Sequence, residues 1–130
     1  MYRTVLSAVA LSIACCLATS AEAREIKSVK FEVLDSSSVG LPFTPRKVEW
    51  VLGKVRVEGT VRNTSPDDYE WIEVVYTALD RNGNVLGSDV WHVTPLQLAS
   101  GEIGEVDGDL INTKGRIPSV IQVEIVGETP

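Results

Sequence analysis

Read for the alternation of apolar and polar positions, the chain divides into short period-two segments separated by turn-forming residues. Residues 54–63 alternate most regularly, with Val55, Val57, Gly59 and Val61 on one face and Lys54, Arg56, Glu58, Thr60 and Arg62 on the other. One face of that strand is core and the other solvent. Upstream, Val48, Trp50 and Leu52 occupy the opposite phase, so a bulge or bend is expected near Gly53. Gly59 in mid-strand predicts a bulky neighbour over its bare backbone, an aromatic ring of the facing sheet. Residues 25–34 read as an earlier half-buried strand, with Val29, Phe31 and Val33 opposed to Lys30 and Glu32. Between them, 35–47 contains three serines, Gly40, Pro42 and Pro45, and reads as a long loop or edge crossing.

The centre of the pattern is 74–87, VVYTALDRNGNVLG, where an apolar run turns through Asp80-Arg81-Asn82-Gly83 and restarts at Asn84. Asp at the first turn position hydrogen-bonds its own backbone, and Gly at the fourth takes a positive φ, which favours a type I turn closed by a Gly bulge. The alternative, a two-residue Asn82-Gly83 turn, shifts the register by one. Hydrophobic matching favours the first and sets Ala78 opposite Leu86 and Val74 opposite Val90. Further strands are expected over 102–111, with Val106, Gly108 and Leu110 in phase, and over 120–126, with Ile121, Val123 and Ile125 in phase. No segment has a sustained helical period. Six to seven short strands spaced by turns predict an all-β, immunoglobulin-like antiparallel β-sandwich.

The first residues change the picture of the mature protein. Arg3, an apolar stretch over 5–17 and the small-x-small Ala21-Glu22-Ala23 predict a signal peptide cleaved after Ala23. At about 13 residues the stretch is short of the roughly 20 that span a bilayer, so a retained anchor is the lesser reading. Cys15 and Cys16, the only cysteines, fall inside this leader, and the residues before them resemble a lipoprotein signal poorly. Residues 24–130 then form one exported domain that folds without a disulfide, with a periplasmic or extracellular destination. Its net charge of −6 and lack of a basic run argue against nucleic acid or an anionic membrane surface as partner.

Four segments within 54–110, Val57-Glu58-Gly59-Thr60-Val61-Arg62-Asn63-Thr64-Ser65, Tyr76-Thr77-Ala78-Leu79-Asp80, Asn82-Gly83-Asn84-Val85-Leu86-Gly87 and Leu98-Ala99-Ser100-Gly101-Glu102, resemble in order and spacing the FxLYD family of small exported β-sandwich modules. Tyr76, Ala78 and Leu79 stand where the naming motif has Phe, Leu and Tyr, and Ser100 where the family usually has Pro. The resemblance implies an immunoglobulin-like module with no family-wide catalytic activity and no cofactor, and it carries over no functional residue.

Candidate chemistry is sparse. His92 is the only histidine, and no G-x-S-x-G or comparable nucleophile motif accompanies it, so a small hydrolase or inhibitor acting through His92 is the weakest reading. Glu105, Asp107 and Asp109 share a strand face and are candidates for a Ca²⁺ site. A straight strand spreads them about 7 Å apart, however, too far to wrap one ion. Asp67, Asp68 and Glu70 are a second such group. Asn63-Thr64-Ser65 fits the N-glycosylation pattern, followed unfavourably by Pro66. Of Trp50, Trp71 and Trp91, Trp71 is out of phase with Ile72 and Val74 and is expected to be exposed, an anchor for a protein partner. Phe43, between two prolines, is either a second docking residue or a lid over one end of the sandwich. The expectation is a non-catalytic module that binds another extracytoplasmic protein.

Overall fold

The period-two segments are strands whose apolar phase faces the core, except at the end of the 102–111 segment, where a register shift opposite 56–58 turns Ile111 inward in place of the expected Leu110. The computed structural model describes residues 23–34 and 40–130, so all of the expected leader but its last residue, Ala23, and the 35–39 part of the long loop lie outside the described residues. Eight strands form: β1 (Ala23–Glu25), β2 (Lys30–Val33), β3 (Phe43–Val51), β4 (Lys54–Arg62), β5 (Trp71–Leu79), β6 (Val85–His92), β7 (Ile103–Ile111) and β8 (Val120–Glu128). They make two four-stranded sheets, ordered β1-β3-β4-β7 and β2-β8-β5-β6, packed as an all-β sandwich. β4 lies beside β7 and β5 beside β8, the exchange between sheets by which immunoglobulin-type sandwiches pair strands B with E and C with F. Between the sheets lie Val55, Val57 and Val61 of β4, Ile72, Val74, Tyr76 and Ala78 of β5, and Ile121, Val123 and Ile125 of β8, all essentially without solvent contact. Each aliphatic side chain so buried contributes on the order of 2 kcal/mol. The described residues hold no cysteine, so this core works without a disulfide.

Three local expectations are corrected. The N-terminal strand is split: β1 pairs antiparallel with β3, whereas β2 crosses to the other sheet and runs parallel to β8, which brings the strand number to eight and breaks the all-antiparallel rule. β3 begins at Phe43, not Val48, and includes Pro45. Proline is accommodated because the register shifts between Pro45 and Lys47, and because β1 pairs only with Glu49–Val51, leaving that side of Pro45 at the sheet edge. The change of phase near Gly53 is a two-residue turn, with Leu52 at φ 52° and Gly53 at φ 74°, so β3 and β4 are the two arms of one hairpin.

The central hairpin closes through the expected turn. The Gly83 N–H donates to the Asp80 carbonyl at 3.1 Å, Gly83 has φ 84°, and the Asp80 N–H donates to the Asn84 carbonyl at 2.9 Å. Asp80 Oδ1 accepts from the N–H groups of Asn82 and Asn84, each at 2.9 Å. These bonds, the Asn84 amide first, hold its carboxyl below the usual carboxylate range. Beyond the turn a second irregularity at Ala78/Leu79 moves the register by one, so Ala78 faces Gly87 and Val74 faces Trp91, while Val90 faces Val75 on the outer side. The inner face of β6 is therefore led by Trp91, half-buried against the core.

Tyr76 crosses the middle of that core, its ring edge-on to Phe43 at 6.1 Å. Its hydroxyl is buried with no hydrogen-bond partner among the described residues, and burial pushes the phenol well above its ordinary pKa. An unmet buried hydroxyl is a net cost. Tyr76→Phe is therefore expected to raise stability in urea by about 1 kcal/mol at neutral pH. Because only the unfolded chain ionises this phenol near its ordinary pKa, the wild type should lose stability as pH rises above about 10, and the variant should be spared that part of the loss. Equal urea midpoints for the two proteins at both pH values would contradict this account.

Candidate functional site

The outer faces of the two sheets differ in kind. On the first sheet, alternation projects Lys47, Glu49, Arg56, Glu58, Glu105 and Asp107 outward, and cross-strand register sets opposite charges side by side. Arg56 donates to Glu49 at 2.6 Å, Lys47 lies 3.5 Å from Glu49 and 3.7 Å from Glu58, and Arg46 lies 3.5 Å from Glu105. The Arg56 hydrogen bond holds the Glu49 carboxyl below its usual range. Of the three acidic residues nominated for Ca²⁺, Glu105 thus belongs to a lattice of ion pairs through Arg46, Asp107 is opposite Glu58 on the same outer face, and the side chain of Asp109 lies outside the described part of the structure. No group of three or more metal-ligating side chains occurs among the described residues.

On the second sheet the outer face is partly apolar. Val75 of β5 faces Val90 of β6, which is 46 % exposed, and Val126 of β8, 41 % exposed, faces Glu73. Trp71 lies on this face as its phase requires, but it is half-buried and not free: its ring packs edge-on against His92 at 4.4 Å, and its Nε1–H donates to Glu73 Oε1 at 3.0 Å. His92 Nε2 stands 3.8 Å from the same Glu73 oxygen. Register explains the cluster, since Glu73 and His92 are directly opposite on β5 and β6 and Trp71 is two residues from Glu73 on the same face. His92 is held by an indole and a carboxylate, and neither contact is the serine or cysteine that a histidine-based triad activates.

Phe43 is 8 % exposed and in the core, with its ring 6.0 Å from that of Phe31 as well as against Tyr76. The expectation of a docking residue there is corrected. What looked like a loop is the start of β3, and Phe43, directly opposite Val61, points inward.

One end of the sandwich is organised by Asn63, which is fully buried. Its Nδ2 donates to the carbonyls of Asp67 and Leu98 at 2.8 and 3.0 Å, and its Oδ1 accepts from the Ser65 N–H and hydroxyl at 3.0 and 2.7 Å. The side chain that completes a glycosylation pattern in the sequence is thus a fastener between 63–68 and 98–102, with no room for a glycan in the fold. Beside it lies a hollow of about 300 Å³ lined in part by Asp68, Glu70, Gln97 and Glu102. Asp68 accepts from the Ser100 N–H at 2.9 Å and Glu102 from the Ala99 N–H at 2.8 Å, so two of these carboxylates serve the loop backbone.

No helix among the described residues is long and apolar enough to cross a membrane. Comparison with family models, with curated proteins and with solved structures finds no match for the chain.

Proposed function

We propose that the chain is an exported, non-catalytic binding module of the FxLYD type, and that it engages an extracytoplasmic protein through the outer face of the β2-β8-β5-β6 sheet. The observation that carries this reading is the contrast between the two outer faces. One is covered over its centre by ion pairs and, among the described residues, has a single strongly exposed aliphatic side chain, Ile103, on its edge strand β7. The other presents Val75, Val90 and Val126 beside the Trp71–His92 stack, with the Glu73 carboxylate among them held by both rings, and Glu124 and Glu128 on the β8 side, a mixed apolar and aromatic surface of the kind that binds protein partners. The family resemblance supports the same class of function.

The test is capture of the partner from the extracytoplasmic fraction by wild type, Trp71→Ala, Val90→Lys and a control, Thr60→Lys, on the opposite outer face. A protein recovered by the wild type and the control should be lost with Val90→Lys and weakened at least about tenfold with Trp71→Ala. Equal recovery by all four would remove this face from consideration.

A further inference from the structure

The cations look scattered in the sequence, but the fold collects them. Register sets Ala23 beside Val51, Val51 beside Lys54, Lys30 beside Val120, and Leu79 beside both Val85 and Val120, so the 23–30 strap, the Leu52-Gly53 turn, the central hairpin and the 112–119 connection gather at one end. Arg24 and Lys27 share a hollow there with Ile117, and Arg116 reaches Asp80 at 3.8 Å. These segments carry Arg24, Lys27, Lys30, Lys54, Arg81, Lys114 and Arg116, all exposed, against only Glu25 and Asp80. Asp80 is already engaged by its turn and by Arg116. The opposite end, around Asn63, carries Asp67, Asp68, Glu70, Glu102 and Glu128 with Arg62. An acidic domain is therefore basic at one pole.

The same pole exposes apolar side chains at its tips. Leu52 is 68 % exposed, Val85 64 % and Ile117 44 %. Leu52 also holds a left-handed φ of 52°, a conformation that disfavours leucine and in such turns ordinarily takes Asn, Asp or Gly. Neither burial nor backbone preference accounts for a leucine at that position. A protruding aliphatic residue ringed by lysines and arginines matches the interface of an anionic bilayer, where the apolar group enters the acyl boundary and the cations meet headgroups. We propose that this end of the sandwich docks on an anionic phospholipid surface, with Leu52 as the inserting residue.

The test is vesicle flotation of the protein as the cell processes it, on phosphatidylcholine vesicles with and without phosphatidylglycerol. Any contribution of the apolar N-terminal stretch is common to both, so the preference for anionic vesicles isolates the basic pole. That preference should weaken with salt. It should fall about a hundredfold in the triple variant Lys54→Gln, Arg81→Gln, Lys114→Gln, since each cation near the surface is worth about fivefold. Leu52→Asn should lower binding several-fold while leaving the melting temperature unchanged or higher, because asparagine suits the turn. Equal partition onto the two vesicle types, or an unchanged preference in the triple variant, would overturn the proposal. Tighter binding to duplex DNA than to anionic vesicles would assign the pole to nucleic acid and overturn it as well.

Discussion

Asn63→Ala should destabilise the protein by about 3 kcal/mol, the largest effect of any single polar truncation in the fold. The side chain has no solvent to fall back on. Its loss leaves the Ser65 N–H without its acceptor and takes one of two donors from each of the Asp67 and Leu98 carbonyls. The backbone around it shares the dependence, because the Asn63 N–H donates to the Glu102 carbonyl at 2.9 Å and the Gly101 N–H donates to the Asn63 carbonyl at 2.7 Å. For a domain of this size the change corresponds to a fall in melting temperature of roughly 12–20 °C. Asn63→Asp should recover little at neutral pH: a carboxylate keeps the acceptor but donates nothing and adds a buried charge. Calorimetry on the three proteins measures this, and a fall of less than about 3 °C for Asn63→Ala would show that the two loops hold without the fastener.

Gly59→Ala should cost about as much, for a different reason. A Cβ at residue 59 would stand 2.4 Å from two ring carbons of Phe43 and 2.8 Å from the Thr44 carbonyl oxygen, and the ring is pinned between Phe31 and Tyr76. The ring is on the neighbouring strand of the same sheet, so twisting the two sheets apart gives no relief. Overpacking of this kind costs typically about 1–3 kcal/mol, and the nearby carbonyl places this case at the upper end. The cause is separable by a double-mutant cycle: Phe43→Leu removes the ring edge, and in that background Gly59→Ala should cost at least about 1 kcal/mol less than in the wild type. Strict additivity would show that the Thr44 backbone, not the ring, excludes the side chain.

What was legible in the sequence was whatever depended on neighbours within a few residues. The alternation of 54–63 marks β4 and its buried face, and the Asp80 to Gly83 tetrad marks its turn, because side-chain phase and turn chemistry are local. The phase of Trp71 was equally readable, whereas its stacking on His92 depends on the register of two strands, displaced by a bulge at Ala78/Leu79 that no residue type announces. Pro45 hid the start of β3, since whether a proline ends a strand or lies on an edge depends on how far β1 extends beside it. The buried role of Asn63 was masked by a pattern that fits the same three residues. The basic pole was invisible for a topological reason: its cations come from four separate segments, and a charge run is a property of sequence neighbours, not spatial ones.

The parallel pairing of β2 with β8 has a mechanical consequence. Both strands run from the basic pole toward the acidic one, and β1 runs the same way along β3. Tension between Ala23 and Pro130 would slide β1 past β3 and β2 past β8 lengthwise, loading their hydrogen bonds together in shear rather than unzipping them singly. Forced unfolding is governed by the barrier along the direction of pull, so the domain should be stiff when drawn from its two poles and yield sooner to a sideways pull on the central hairpin. A module held at one pole and loaded at the other would transmit force without opening.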